Sequence, residues 1–199
     1  MIINIISSNC NFNGDSEPIK IFDFKGRKVG NIINSNEETF FIDSYNDNKN
    51  CRILILAGNK GHIKSYDFKT KNIITKFHDS SSTISPHNYI IVNDNQLIES
   101  SYDGIIRIWN FYSGVLLKII NLFENYLKTI CLLSKDYIIA GGGLDYSIRI
   151  IDLKNGLEIK RLIENNNFVI NLRIINHQKY GKCLLSQGYL DDQIKMWKI

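Results

Sequence analysis

The side chains best suited to chemistry are four histidines, His62, His78, His87 and His177, and four cysteines, Cys10, Cys51, Cys131 and Cys183. A zinc ion needs such ligands in closely spaced pairs so that four can surround it. Here they are scattered, with no C-x-x-C pair, and no metal site is expected. There is no G-x-S-x-G nucleophile elbow and no G-x-x-x-x-G-K phosphate loop. Gly141-Gly-Gly143 could cradle a phosphate, but it leads into an apparent strand rather than a helix whose N-terminal amides would hold the anion. A tight hairpin explains it better. Asp191-Asp192 lies in a turn context, where aspartate is favoured anyway. No catalytic residue and no cofactor are expected, so the chain reads as a non-enzyme.

The thiols sit beside apolar residues, as in Ile130-Cys-Leu-Leu133. They read as small buried hydrophobes in a reducing compartment. A cytoplasmic or nuclear location is expected. Met1-Ile-Ile-Asn-Ile-Ile6 is too short for a secretory core, and no apolar run approaches the roughly 18 residues that span a bilayer. The net charge of +4 is spread along 199 residues. A nucleic-acid or anionic-membrane partner would call for clustered Lys and Arg, so neither is expected.

What positions these side chains is a repeat. Ile19-Lys-Ile-Phe-Asp23 returns as Ile63-Lys-Ser-Tyr-Asp67, Ile106-Arg-Ile-Trp-Asn110, Ile148-Arg-Ile-Ile-Asp152 and Ile194-Lys-Met-Trp-Lys198. The anchors Phe22, Tyr66, Trp109, Ile151 and Trp197 are 44, 43, 42 and 46 residues apart. Between them lie short runs rich in Ile, Leu and Val, separated by Asn-, Asp- and Gly-rich turns. This is the pattern of short strands joined by tight connections. In the fourth unit the strands are 116–120, 128–133, 137–140 and 147–151.

The period and the strand pairs resemble the WD-repeat family, whose units of about 40–45 residues each build a four-stranded propeller blade. Ala140-Gly-Gly-Gly-Leu-Asp-Tyr-Ser-Ile-Arg-Ile-Ile-Asp152 and Leu185-Ser-Gln-Gly-Tyr-Leu-Asp-Asp-Gln-Ile-Lys-Met-Trp197 carry the resemblance best. It implies an all-β propeller of about five antiparallel four-stranded blades, one domain over residues 1–199, with units ending near 23, 67, 110, 152 and 198. The first blade should lack its inner strand and the last its outer one. A closed small ring and an open arc both fit.

The resemblance also implies an internal network of a His, a strand Ser or Thr, a turn Asp and a Trp. His78, Asp103 and Trp109 match it in the third unit, with Glu99 at the Ser position. Asp145 matches in the fourth, with Gly141 and Ile151 at the Ser and Trp positions. Asp191 and Trp197 match in the fifth, with Gln187 for Ser. These roles are structural. Just before each turn Asp, three units carry Tyr102, Leu144 and Leu190. By the family's geometry they lie on the top face and could form a partner-binding patch.

The functional expectation is a protein–protein interaction scaffold or adaptor using the top face and the exposed blade edges. Its partner would be a protein or peptide, one able to complete an edge blade, and the open edges would also allow oligomers. Two alternatives stand beside it. One is a propeller that binds anionic lipid headgroups or nucleic acid. The other is a truncated, degenerate propeller fragment that needs a partner to complete it.

Overall fold

The computed structural model describes residues 5–7, 20–22, 25–31, 39–46, 52–58, 63–79, 86–93, 95–163 and 165–199. Among them are eighteen strands and no helix. The first sheet holds β1 (Ile5–Ser7), β2 (Lys20–Phe22) and β3 (Lys28–Asn31). The second holds β4 (Thr39–Asn46), β5 (Arg52–Gly58), β6 (Ile63–Asp67) and β7 (Ile73–Phe77). The third holds β8 (Pro86–Val92), β9 (Gln96–Ser101), β10 (Ile105–Asn110) and β11 (Leu116–Asn121). The fourth holds β12 (Leu127–Ser134), β13 (Tyr137–Gly142), β14 (Ile148–Asp152) and β15 (Glu158–Leu162). The fifth holds β16 (Val169–His177), β17 (Gly181–Gly188) and β18 (Ile194–Lys198).

Sequential strands are neighbours in every sheet, so each sheet is an antiparallel meander. Among the described residues the two terminal sheets have three strands and the three between them have four. That is the pattern expected of blades with incomplete first and last members. The chain divides into two compact units, residues 1–85 with 112–114, and residues 86–111 with 115–199.

The repeat seen in the sequence is a repeated irregularity in the ladder. The pairing slips by one residue immediately before Phe22, Tyr66, Trp109 and Ile151. Such a bulge bends the hairpin and sharpens its twist. The Asp that follows the anchor then caps the turn. Asp67 accepts the Thr70 N–H at 2.6 Å, and Asp152 accepts those of Lys154 and Asn155 at 2.7 and 3.2 Å. The Thr70 backbone bond, helped by the Thr70 hydroxyl, holds the Asp67 carboxyl below its usual range. Each turn also needs one residue in the left-handed region, supplied by Lys71 (φ 67°) and Gly156 (φ 75°).

The core of the second unit lies between sheets. Val92, Ile98, Ile106, Ile108 and Ile120 of the third sheet meet Leu127, Ile130, Ile138, Ala140 and Ile151 of the fourth. Ile139 and Ile148 on the other face of the fourth sheet meet Val169, Leu172 and Leu184 of the fifth. The fourth sheet is thus buried on both faces, which is why Tyr137-Ile-Ile-Ala140 is apolar without alternation. Ile151, at a Trp position of the repeat, joins the first cluster and is fully buried. Cys131 and Cys183 are free thiols, and burial pushes the Cys131 thiol up to about 12. It is therefore a packing residue rather than a reactive one.

Because both faces of the fourth sheet are filled, Ile139→Ala is expected to lower the unfolding free energy by about 2–5 kcal/mol. Leu132→Ala, at an exposed position of the same sheet, should stay within about 0.5 kcal/mol. Urea denaturation midpoints compare the two.

Candidate interaction face

The registers bring five connections of the second unit to one end of its sheets. Pro86 pairs Ser101, Ile105 pairs Asn121, Leu127 pairs Gly142, Ile148 pairs Leu162, Val169 pairs Gly188 and Gln187 pairs Ile194. The turns 102–104, 143–147 and 189–193 therefore share an end with the loops 122–126 and 163–168. Main-chain bonds stitch them together. Tyr126 N–H donates to Tyr102 O at 2.9 Å, Gly143 N–H to Tyr126 O at 3.0 Å, and Tyr189 N–H to Phe168 O at 2.7 Å. Gly104 (φ 79°) is required here, since a Cβ would stand 2.5 Å from Phe123 O.

Beneath this face lie charged fasteners. Arg107, almost fully buried, pairs with Asp103 at 2.6 Å and Glu99 at 3.6 Å. Its Nη1 also donates to Ser101 Oγ at 2.8 Å, and the Ser101 hydroxyl donates to Asp103. Burial works to raise the Asp103 carboxyl, but bonds from Arg107, Ser101 and the Ile105 N–H outweigh it and hold it below the usual range. In the fourth sheet Arg149 pairs with Asp145 at 2.5 Å and Glu158 at 3.4 Å, donates to Leu122 O, and lies 4.3 Å over the Phe123 ring. There too burial opposes and bonds from Ser147 and Arg149 prevail, so the Asp145 carboxyl is lowered. The turn aspartates of these two blades thus engage the arginine four residues on. Removing one partner of the buried Arg107–Asp103 pair typically costs about 3–5 kcal/mol, whereas Asp145 is 38 % exposed and its pair is screened by solvent and worth less.

The strand register changes two assignments made from spacing. Leu184 lies opposite Trp197, Leu97 opposite Trp109 and Ile138 opposite Ile151. Two residues further along the middle strand, the Ser position is Glu99, Ala140 and Ser186, not Gly141 or Gln187. Trp197 Nε1 donates to Ser186 Oγ at 2.8 Å, and Ser186 reaches Asn165 Oδ1 at 3.5 Å. Asn165, in the loop before β16, is the network member that the sequence reading missed. Its Nδ2 donates to Tyr146 O at 3.3 Å. A Ser two residues beyond the Trp-paired Leu184 was the available signal. Asp191 closes its own turn through its N–H to Gly188 O. His78 is exposed and belongs to the first unit. His62 lies outside the described residues.

The face itself carries a row of rings. His87 and Tyr102 have centroids 5.6 Å apart, Tyr102 and Tyr126 4.3 Å, Tyr126 and Phe168 5.7 Å, and Phe168 and Tyr146 5.2 Å. A hydrogen bond with the Tyr126 side chain, then burial, raises the Tyr102 phenol. Lys128 Nζ lies 5.9 Å from the Tyr102 ring. Burial, then the Lys128 charge, lowers His87 to about 4 against the opposing pull of Asp103. Beside the row, Leu144 is 48 % exposed and Leu190 82 %. Tyr126, Tyr146 and Leu190 hold φ of 61°, 56° and 57°, a conformation that costs a large side chain about 1 kcal/mol or more.

A cavity of about 440 Å³ is lined by Leu122, Glu124, Leu144, Asp145, Arg149 and Arg161. Both guanidinium groups there are already paired, Arg161 with Glu158 at 2.7 Å, so it is not an anion site. Among the described residues no cluster of His, Cys, Asp and Glu could hold a metal, and no helix is long and apolar enough to cross a membrane.

No family model matches the chain. Over 157 residues it is 24% identical to the nuclear distribution protein nudF of Aspergillus niger, covering 78% of this chain and 31% of that protein. The chain thus spans about a third of the length of that curated relative. Its fold resembles the WD40 β-propeller domain of Doa1, with a TM-score of 0.74 at 18% identity over 97% of this chain and 60% of that one. A chain of the mitotic checkpoint complex also gives a TM-score of 0.74, at 13% identity over 99% of this chain and 57% of that one. The sheets have the fold of β-propeller blades.

Two outcomes are expected. Ser186→Ala should destabilise the protein by about 1–2 kcal/mol, because it orphans the Trp197 N–H, whereas Gln187→Ala should change little; thermal melts distinguish them. His87 titrates near 6.5 when unfolded and near 4 when folded, so the unfolded chain binds the extra proton first. Stability should fall as pH drops from about 6.5 to 4, and His87→Gln should flatten that interval. Loss through Asp103 and Asp145 begins only below their ordinary 3.8.

Proposed function

We propose that this chain of WD40-type blades is a protein-interaction scaffold whose partner docks on the loop face of the second unit, with no catalysis of its own. The observation that carries this reading is Leu190. It is 82 % exposed and held at a positive φ. A leucine there contributes little packing and carries backbone strain, so the fold gives it no purpose. Strain and exposed apolar area at one position mark a surface kept for contact. Tyr102, Leu144 and the ring row extend that surface across three blades. Rigid sheets below and variable loops above suit the task. The likeness to nudF, Doa1 and a member of a multiprotein complex supports a binding role by analogy of fold.

The test is affinity capture with the wild-type chain and with Tyr102→Ala combined with Leu190→Gly. Glycine relieves the φ strain, so the variant should keep its melting temperature while recovering at least tenfold less of the bound proteins. Equal recovery of every partner would overturn the docking face.

A further inference from the structure

The same face has a charge that the molecule as a whole does not. The chain carries +4 overall. At the loop end, Asp103 and Asp145 are neutralised by Arg107 and Arg149. What remains at this end is Glu124, Asp191 and Asp192, with the Glu99 that shares Arg107 with Asp103, against Lys128 and Lys195. An aromatic row is thus set in an acidic rim. One cation of the face already lies near a ring of the row, Lys128 at 5.9 Å from Tyr102, and beneath the face Arg149 lies 4.3 Å over the buried Phe123 ring.

Resting on the docking face proposed above, we infer that the partner is an extended protein segment bearing arginine side chains, whose guanidinium groups stack on the Tyr102–Tyr126–Phe168–Tyr146 row and pair with the acidic rim. Arginine suits this surface better than lysine. Its flat guanidinium stacks on a ring and presents a fork of donors to a carboxylate at the same time. Adjacent carboxylates at Asp191 and Asp192 offer acceptors for that fork. Single-stranded nucleic acid also stacks on aromatic platforms, but it needs a basic track for its phosphates, and this rim is acidic.

Fluorescence anisotropy with labelled probes tests the inference. The probes are a 12-residue peptide alternating arginine with alanine or glycine, the same peptide with citrulline at every arginine, and a 12-nucleotide oligouridylate. Citrulline keeps the shape and removes the charge. The arginine peptide should bind at least tenfold more tightly than the citrulline peptide, and Asp191→Asn with Asp192→Asn should cut that preference at least threefold. Equal binding of the two peptides, a preference unmoved by the double variant, or tighter binding of the oligouridylate would overturn it. If the Tyr102 and Leu190 variant loses its captured partners while the two peptides bind alike, the docking face stands and the arginine reading falls. If that variant keeps its partners, the docking face itself falls.

Discussion

A small β-sheet that is apolar on both faces cannot stand alone in water, and the fourth sheet is such a sheet. Ile138 and Ala140 point one way and Ile139 the other, and all three are fully buried. Burying each large aliphatic side chain is worth about 1.5–3 kcal/mol relative to leaving it exposed. The neighbouring third and fifth sheets supply that burial, and the order of the second unit follows from it. Within the second unit each blade is held by the next, so its stability is a sum of interfaces between neighbours. The apolar packing also explains how the chain tolerates Ile151 at a position where its relatives within the sequence place Trp109 and Trp197.

Polar bonds at the blade ends have a different task. They set the geometry of the loops that the apolar packing leaves undefined. The Asp103–Arg107 and Asp145–Arg149 pairs tie a turn to the strand that leaves it. Two charges in a protected site are worth having only when their remaining bonding capacity is met. Here Ser101, Ser147 and main-chain groups meet much of it. The fifth sheet uses a neutral chain instead, from Trp197 through Ser186 to Asn165. The blades share a backbone and differ in how its loops are fastened.

With the turns fixed in this way, the loop face can hold conformations that would not persist in a free chain. Tyr126 and Tyr146 occupy left-handed backbone positions that glycine or asparagine usually takes. Both are anchored, Tyr126 by main-chain bonds to Tyr102 and Gly143, Tyr146 by Asn165. The strain is therefore over-determined by the scaffold, and the rings are presented as a row rather than as separate side chains. Leu190 shares the strain without comparable burial, which makes it the residue most poorly explained by folding alone.

Much of this was legible along the chain. The 42–46-residue spacing of Phe22, Tyr66, Trp109, Ile151 and Trp197 determined the blade architecture, because the same bulge and turn cap recur only if the ladder repeats. Alternation and turn residues determined the strands, and the exposed places of Tyr102, Leu144 and Leu190 are those that the WD-repeat resemblance implied for the residue before the turn aspartate. What the tertiary structure alone decided depends on register and on which side chains meet across sheets. One residue's slip exchanges the two faces of a strand, so Ser186 rather than Gln187 meets Trp197. Asp103 and Asp145 each meet the arginine four residues on, a spacing the sequence repeats, whereas Asn165 found Ser186 through folded geometry that no spacing encodes. The ring row joins residues from three blades, and only the packing of blade on blade could bring those rings together.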